Sequence, residues 1–283
     1  MNIDSKTKIY GLIGHPVGHS LSPLIHNTAF LDQKLNCIYD CFDVLPENIK
    51  DAVFGIKALG IMGVNVTVPY KEMVIPYLDF ISDEAKLIGA VNTIKNNDGR
   101  LEGYNTDASG FIESLLEQGV EIRGKNVVIL GAGGAARAIA VAFSLNDVNS
   151  ITIANRTEGK AYNLYKYIKE KFRTECKYTS LDELIDFDNI DILINATSVG
   201  MFPNVNATPV DEKIIRKAKF IYDLIYNPKE TLFLRYAKKY GIKNSNGLNM
   251  LINQANNSFK IWFGKNFNKN LIVNVLRKKE FIK

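Results

Sequence analysis

The sequence predicts an α/β protein of two domains followed by a pair of C-terminal helices. Three observations predict it. Residues 126–143, NVVILGAGGAARAIAVAF, pass from a short apolar run through glycines into an alanine-rich helical pattern: strand, tight turn, helix start. Between residues 125 and 241, apolar β-branched runs alternate with amphipathic helical ones, as in a doubly wound sheet. Ahead of them lies a separate series of strands and helices, residues 9–104, and a chain of 283 residues can bury two modest cores. The expected boundaries are 1–106 for the first domain, 107–243 for the second and 244–283 for the C-terminal helices.

Composition narrows the function classes. The chain is 46% hydrophobic and 23% charged, ordinary values for a globular protein. Lys and Arg number 35 against 30 Asp and Glu, giving +5, but the excess is scattered apart from Arg277, Lys278, Lys279 and Lys283. No basic stripe interleaves with aromatics, which argues against a nucleic-acid partner. Residues 127–145 are apolar enough to suggest a membrane span, yet they carry Arg137 and the glycine turn and read better as strand and helix. The first residues, MNIDSKTKIYG, lack a signal-peptide core, and Cys37, Cys41 and Cys176 suit a reducing cytoplasm.

In the first domain, residues 9–13 form a strand ending at Gly14, and a Gly/Pro-rich loop follows to Pro23. Ser22 and Pro23 read as N-cap and first position of a helix toward Leu31. His15, His19 and His26 cluster here without carboxylates or cysteines at ligand spacing, so a metal site is not expected. Residues 37–44 are a second strand, and Pro46 and Glu47 open a helix through Leu59. Alternation in residues 64–68 puts Val64, Val66 and Val68 on one face and Asn65 and Thr67 on the other, with Lys71 following. Residues 82–90 form a short helix. Strands 91–95 and 100–104 flank the turn Asn96-Asn97-Asp98-Gly99 as a hairpin. Asn105, Thr106 and Asp107 then begin a helix that stops at Gly119.

In the second domain, Gly131 permits the tight turn, Gly133 leaves room for a close anion, and Ala136 is small enough for helix to pack on strand. The helix start offers N–H groups and partial positive charge to a pyrophosphate. Residues 150–157 are the next strand. A strand in this place ends in an acid when it pairs with the ribose 2′-OH of NAD, whereas here it ends Asn155-Arg156-Thr157. A guanidinium and a hydroxyl suit a 2′-phosphate, so NADP(H) is the expected cofactor, with Glu158 one residue beyond. Residues 159–172 are a helix, 191–196 a third strand running into Thr197-Ser198, 220–225 another strand, and 229–240 a helix. Apolar positions 248, 251, 252, 255, 259 and 262 mark a long helix with Gln254 at the border of its stripe, and 270–279 a last one.

Nine segments in order resemble the shikimate/quinate dehydrogenase family over nearly the whole chain. They are GHPVGHSLSPLIHN (14–27), GVNVTVPYK (63–71), GAVNT (89–93), GYNTD (103–107), GAGGAARA (131–138), ANRT (154–157), INATSVGM (194–201), YDLIYNP (222–228) and GLNMLINQA (247–255). The resemblance implies a substrate domain, a Rossmann-like NADP-binding domain, C-terminal helices returning onto the first domain, and reversible reduction of 3-dehydroshikimate to shikimate. It implies substrate contacts from Ser20, Ser22, Asn65, Thr67, Asn92, Tyr226 and Gln254, with Lys71 and Asp107 catalytic. It places the cofactor on Gly131, Ala132, Gly133, Gly134, Ala135, Asn155, Arg156, Thr157, Thr197, Ser198 and Gly247, and implies a monomer or homodimer.

The residue chemistry agrees with that implication. Ketone reduction needs a proton for the developing alkoxide, which Lys71 can give while Asp107 holds it. Paired serines suit a substrate carboxylate. Asn249 and Asn246 stand where the family commonly has Gly and often Asp; an Asn at 249 would suit a left-handed backbone. The nearest rival is the quinate-using, NAD-using branch, for which Glu158 is the foothold. A non-catalytic dinucleotide sensor would have no need of both Lys71 and Asp107.

Overall fold

The computed structural model describes residues 3–278 and divides into two compact units. One comprises the described residues up to Ser109 together with those from Ile252 onward; the other is Gly110–Leu251.

The first unit carries a mixed six-stranded sheet. Its strands are β1 (Lys8–Gly14), β2 (Cys37–Asp43), β3 (Gly63–Val66), β4 (Phe80–Ile81), β5 (Thr93–Asn97) and β6 (Arg100–Tyr104), in the order β2-β1-β3-β5-β6-β4. β1 runs parallel to β2 and β3, while β5 is antiparallel to β3 and β6. The hairpin between β5 and β6 turns on Asp98 and Gly99 alone, both with positive φ (51° and 88°), as a two-residue turn requires, so its first strand is Thr93–Asn97 rather than the expected 91–95. Helices α1 (Ser22–Asp32), α2 (Ile49–Ala58) and α3 (Asp83–Ile88) cover the sheet, and α3 is capped by Ser82 and closed by a left-handed Gly89.

Aromatic packing places the first of the C-terminal helices. Tyr10, Phe30, Phe259, Trp262 and Phe263 interlock with ring centroids 4.6–6.0 Å apart. The indole of Trp262 donates to Ile94 O at 3.1 Å and lies where a Cβ on residue 63 would sit, which explains Gly63.

The second unit is a wholly parallel sheet of β7 (Asn126–Leu130), β8 (Ser150–Ala154), β9 (Glu175–Thr179), β10 (Ile190–Asn195), β11 (Ala218–Asp223) and β12 (Lys243–Asn246), in the order β12-β11-β10-β7-β8-β9. Numbered within the unit this is 3-2-1-4-5-6, the doubly wound dinucleotide-binding order, with its switch point between β7 and β10. Helices α5 (Gly134–Ser144), α6 (Glu158–Lys171), α7 (Glu212–Ile215) and α8 (Leu232–Lys239) alternate with the strands. Two helices run through the division between units, α4 (Asp107–Glu117) and α9 (Leu248–Phe263); α10 (Lys269–Lys278) follows in the first.

Several local expectations change. Helix α1 takes Leu21 rather than Ser22 as its N-cap, with Ser22 already helical. A 3-10 turn at Pro46–Asn48 precedes α2. β3 stops at Val66, so Val68 falls past the strand and is exposed rather than sharing the buried face of Val64 and Val66. The strand expected as third in the second unit is the fourth: the sequence pattern does not predict β9, because as an edge strand it buries only Cys176 and Thr179. Nor does it predict β12, the short β4 or the four-residue α7. The division falls after Ser109 and Leu251 rather than at residues 106 and 243: Asp107 is bonded into the first unit, and β12 pairs with β11. Asn249 lies inside α9 and is not among the positive-φ residues. Lys279 and Lys283 lie outside the described residues.

Candidate active site

The first unit gathers polar side chains at the ends of β3, β5 and β6. β3 delivers Asn65 to the interior, and the segment after it brings in Lys71, whose carbonyl accepts from the Val91 amide at 2.8 Å. Lys71 Nζ donates to Asp107 Oδ2 at 2.6 Å, with side chains 31% and 15% exposed. Asp107 is the first residue of α4, and its amide donates to Asn105 Oδ1 at 3.0 Å. Asn92 is the hub. Its amide nitrogen donates to Asp107 Oδ1 and to Thr106 Oγ1, both at 2.9 Å, while its oxygen accepts from the Thr106 amide at 2.8 Å and Thr93 Oγ1 at 2.9 Å. Every polar atom of that buried amide is engaged, so the Asp107 carboxylate has one orientation.

A second layer lies behind it. Asn65 Nδ2 donates to Asn92 O, Thr93 Oγ1 and Ser258 Oγ at 3.0–3.2 Å, and its Oδ1 accepts from the Tyr39 hydroxyl at 2.8 Å. Ser258 Oγ donates to Gln254 O at 2.9 Å, one turn earlier on α9. Burial pushes the Tyr39 phenol well up. Ser20 Oγ accepts from the Ser22 amide at 3.2 Å, so Ser20 supplies the oxygen that meets the start of the helix. His15, at the head of the same loop, pairs with Asp43 at 2.6 Å.

Of the residues the sequence singled out, Lys71, Asp107, Asn92 and Asn65 form one bonded network, which reaches the Gln254 backbone through Ser258, while Ser20 and Ser22 are bonded to each other. Thr67 stands apart from those bonds: its methyl packs where a Cβ on Gly14 would be. Tyr39, Thr93 and Ser258 were missed. Ser258 had a legible signal, the i+4 position from Gln254 on one helix; Tyr39 had only its place in an alternating strand.

The second unit presents a rim of strand ends. Leu130, Ala154, Asn195 and Asp223 stand in register across β7, β8, β10 and β11, so the segments beginning at residues 131, 155, 196 and 224 emerge side by side. Gly131 has φ 109°, and a Cβ there would meet Ala196 O and Thr197 Cγ2 at 3.0 Å. Gly133 caps α5 without a side-chain bond, and the first turn of α5 holds no acid. Gly133, Gly134 and Ala135 are exposed, and a Cβ on either glycine would meet nothing within 4 Å. Open space in front of uncapped helix N–H groups fits a pyrophosphate.

At the end of β8, Asn155 Nδ2 donates to Thr157 O at 2.8 Å, while Arg156 and Thr157 are exposed and Arg156 has no ion pair among the described residues. This fits a 2′-phosphate. After β10, Thr197 is bonded to Asn195 and Ser198 is exposed. Ala132 and Tyr226 are half-buried on the loops after β7 and β11, and burial pushes the Tyr226 phenol up. Gly247 differs from the other glycines. It is buried, and a Cβ there would lie 2.0 Å from Leu224 O, so its identity is explained by packing. Asn246 supplies an oxygen to the Leu248 amide at the start of α9. Among the described residues no helix is long and apolar enough to cross a membrane, and no three His, Cys, Asp or Glu side chains converge as metal ligands.

Comparison with known proteins agrees over both units. The family described as "Shikimate dehydrogenase substrate binding domain" matches residues 12–94, and "Shikimate / quinate 5-dehydrogenase" matches residues 114–229. A "Shikimate dehydrogenase (NADP(+))" of Caldanaerobacter subterraneus subsp. tengcongensis is 56% identical over 277 residues, covering 98% of this chain and 99% of its own. A crystal structure of a shikimate dehydrogenase in complex with NADP+ superposes with a TM-score of 0.93 at 49% identity, covering 98% and 97% of the two chains. The shikimate 5-dehydrogenase of Listeria monocytogenes, in complex with shikimate and NAD, gives 0.92 at 35% identity, covering 98% of each. With its substrate-domain network, its doubly wound second unit and relatives matching end to end, the chain belongs to the shikimate/quinate dehydrogenase family of NADP-dependent oxidoreductases.

Proposed function

We propose that the chain catalyses the reversible NADPH-dependent reduction of 3-dehydroshikimate to shikimate, in aromatic amino-acid biosynthesis, as a cytoplasmic enzyme, monomeric or homodimeric. The observation that carries this reading is the Lys71–Asp107 pair, 2.6 Å apart and oriented by a fully engaged Asn92. NADP(H), when bound, supplies the hydride in one direction and accepts it in the other. Residues 131–135, Thr197, Ser198 and Gly247 would hold its backbone, and Asn155, Arg156 and Thr157 its 2′-phosphate.

The chain's own groups manage the proton. Lys71 Nζ gives a proton to the developing alkoxide during reduction and takes it back during oxidation. Asp107 receives the ammonium on Oδ2 and hydrogen-bonds the reacting hydroxyl, while Asn92 occupies Oδ1 and keeps the carboxylate from turning. Ser20 and Ser22 are the proposed partners of the substrate carboxylate. Asn65, Thr67, Asn92 and Gln254 are proposed for the ring hydroxyls, and Tyr226 as a further substrate contact. Oxidation of shikimate with NADP+ compared with NAD+, repeated with quinate, tests this. A preference for NAD+ would overturn the cofactor assignment, and turnover of quinate alone the substrate assignment.

A further inference from the structure

Asp223 is fully buried at the C-terminal end of β11, and no step proposed above uses it. Its Oδ1 accepts from Asn195 Nδ2 at 3.0 Å and from the Ile225 amide at 3.1 Å, and its Oδ2 from Thr231 Oγ1 at 2.5 Å. Asn195, equally buried, carries the connection onward. Its Oδ1 accepts from the Thr197 amide at 3.0 Å and the Thr197 hydroxyl at 2.7 Å, and Thr197 Oγ1 accepts from the Val199 amide at 3.1 Å. Thr231, on the other side, accepts from the Leu234 amide at 3.3 Å as the N-cap of α8.

A carboxylate in such a place costs free energy that an apolar residue would not. Burial pushes the carboxyl up to about 6 even though three donors favour its charged form. What a carboxylate does here, and an apolar side chain cannot, is accept from three chain segments at once. Those segments are the end of β10, the loop that carries Tyr226, and the start of α8. The first is the one against which Gly131 closes, since a Cβ on that glycine would touch Thr197 Cγ2.

We propose that Asp223 is a positioning residue for the dinucleotide: through Asn195 it fixes the turn at residues 197–199 beside the glycine turn. The role rests on the reading of that rim as the cofactor site.

Asp223→Ala removes one of the two acceptors of Asn195 Nδ2, leaving Val199 O at 3.2 Å as the other, and loosens the hold on that amide. The NADP+ dissociation constant, measured by titration, is then expected to rise about tenfold, the loss of roughly one charged hydrogen bond. The KM for shikimate stays within about twofold, and the Thr197 and Val199 amides exchange hydrogen faster. Asp223→Asn keeps an oxygen for Asn195 and Ile225 and restores most of the NADP+ affinity. Asn195→Ala reproduces the Asp223→Ala pattern, and the double variant is no worse than the poorer single one, because both cut one chain of bonds.

Unchanged NADP+ affinity in folded Asp223→Ala overturns the proposal, as does an additive loss in the double variant. If Asp223→Ala does not fold, Asn195→Ala is judged by the same criteria. Failure of the wild-type chain to bind NADP+ overturns the functional reading and the positioning role together. Normal wild-type binding with insensitive variants overturns the positioning role alone.

Discussion

In the first unit the proposed functional side chains are bonded to one another: Lys71 to Asp107, Asp107 to Asn92, Asn92 to Thr106, and Asn65 to Ser258 and Tyr39. In the second, the groups assigned to the cofactor face outward: bare helix N–H groups behind Gly133, an exposed Arg156 and Thr157, and glycines with open space where a Cβ would go. Moving a proton requires a donor fixed to within a few tenths of an ångström, and a mutually satisfied network supplies that. A cofactor that enters and leaves on every turnover is better served by backbone, whose N–H groups are held by the helix with no side chain to reorder. The first unit therefore concentrates sensitivity in single side chains, and the second spreads it over main chain.

The largest expected effect follows from that concentration. Lys71→Ala removes the proposed proton donor, and kcat for shikimate oxidation should fall by about 10²–10⁴-fold. Steady-state kinetics at saturating NADP+ would show it, with KM for shikimate little changed. A variant with near-normal kcat would take Lys71 out of the chemistry and remove the contrast between the units.

Buried titratable groups give the two units opposite responses to pH. His26, inside the aromatic cluster of the first unit and stacked 4.5 Å from Tyr39, has no hydrogen-bond partner for either ring nitrogen among the described residues. Burial lowers its pKa from 6.5 to about 3. The native state then binds fewer protons than the unfolded one between those values, so stability is lost as pH falls from 6.5 toward 3. Asp223 is raised from 3.8 to about 6, the native state binds more protons over that window, and stability is lost as pH rises through it, by about 3 kcal/mol at most. Urea melts at pH 4.5 and 7.5 test both. The margin of His26→Met over the wild-type chain should widen toward acid, read by Trp262 fluorescence in the first unit. That of Asp223→Asn should widen toward neutral pH, read by hydrogen exchange in β10 and β11. Shifts of the same sign in both variants would refute this pairing.

Arg156 is the largest single-side-chain contribution expected in the second unit. Arg156→Gln should raise KM for NADP+ by roughly 10–100-fold, the value of one or two charge-assisted hydrogen bonds, and leave KM for NAD+ almost unchanged. Equal losses with both cofactors would mean that Arg156 does not read the 2′-phosphate.

How far the sequence speaks for each unit follows from the same contrast. The second unit was legible as a fold because parallel buried strands read as continuous apolar runs, and β7, β8, β10 and β11 are all of that kind. Its edge strands β9 and β12 were not legible, since half-exposed ECKYT and KNSN look like loop. In the first unit, Asn65 was visible from strand alternation, but its partners Tyr39, Thr93 and Ser258 come from three other elements and meet only through tertiary packing. Ser22 was misplaced by one residue at the start of α1, the usual scale of uncertainty at a helix end. Asp223 carried no signal beyond its motif, because what defines it is three donors converging from separate segments.

The smallest expected effect discriminates best between two kinds of glycine in the second unit. Gly133 and Gly247 were both expected at the cofactor, yet only Gly247 is required by the fold: a Cβ there would lie 2.0 Å from the Leu224 carbonyl oxygen, and neither backbone can give way without shifting β12 or the segment after β11. Gly133 has φ −88°, within reach of any residue, and open space around its Cβ position. Gly133→Ala should therefore fold with a stability loss of about 1 kcal/mol or less, the difference between glycine and alanine as N-cap. It should still weaken NADP+ by up to about tenfold, because the added methyl stands where a phosphate would approach the helix N–H groups. Thermal melting and NADP+ titration on the same sample separate the two effects. A variant that loses stability but binds NADP+ normally would make Gly133 a structural glycine like Gly247, and the pyrophosphate would have to lie elsewhere on the rim.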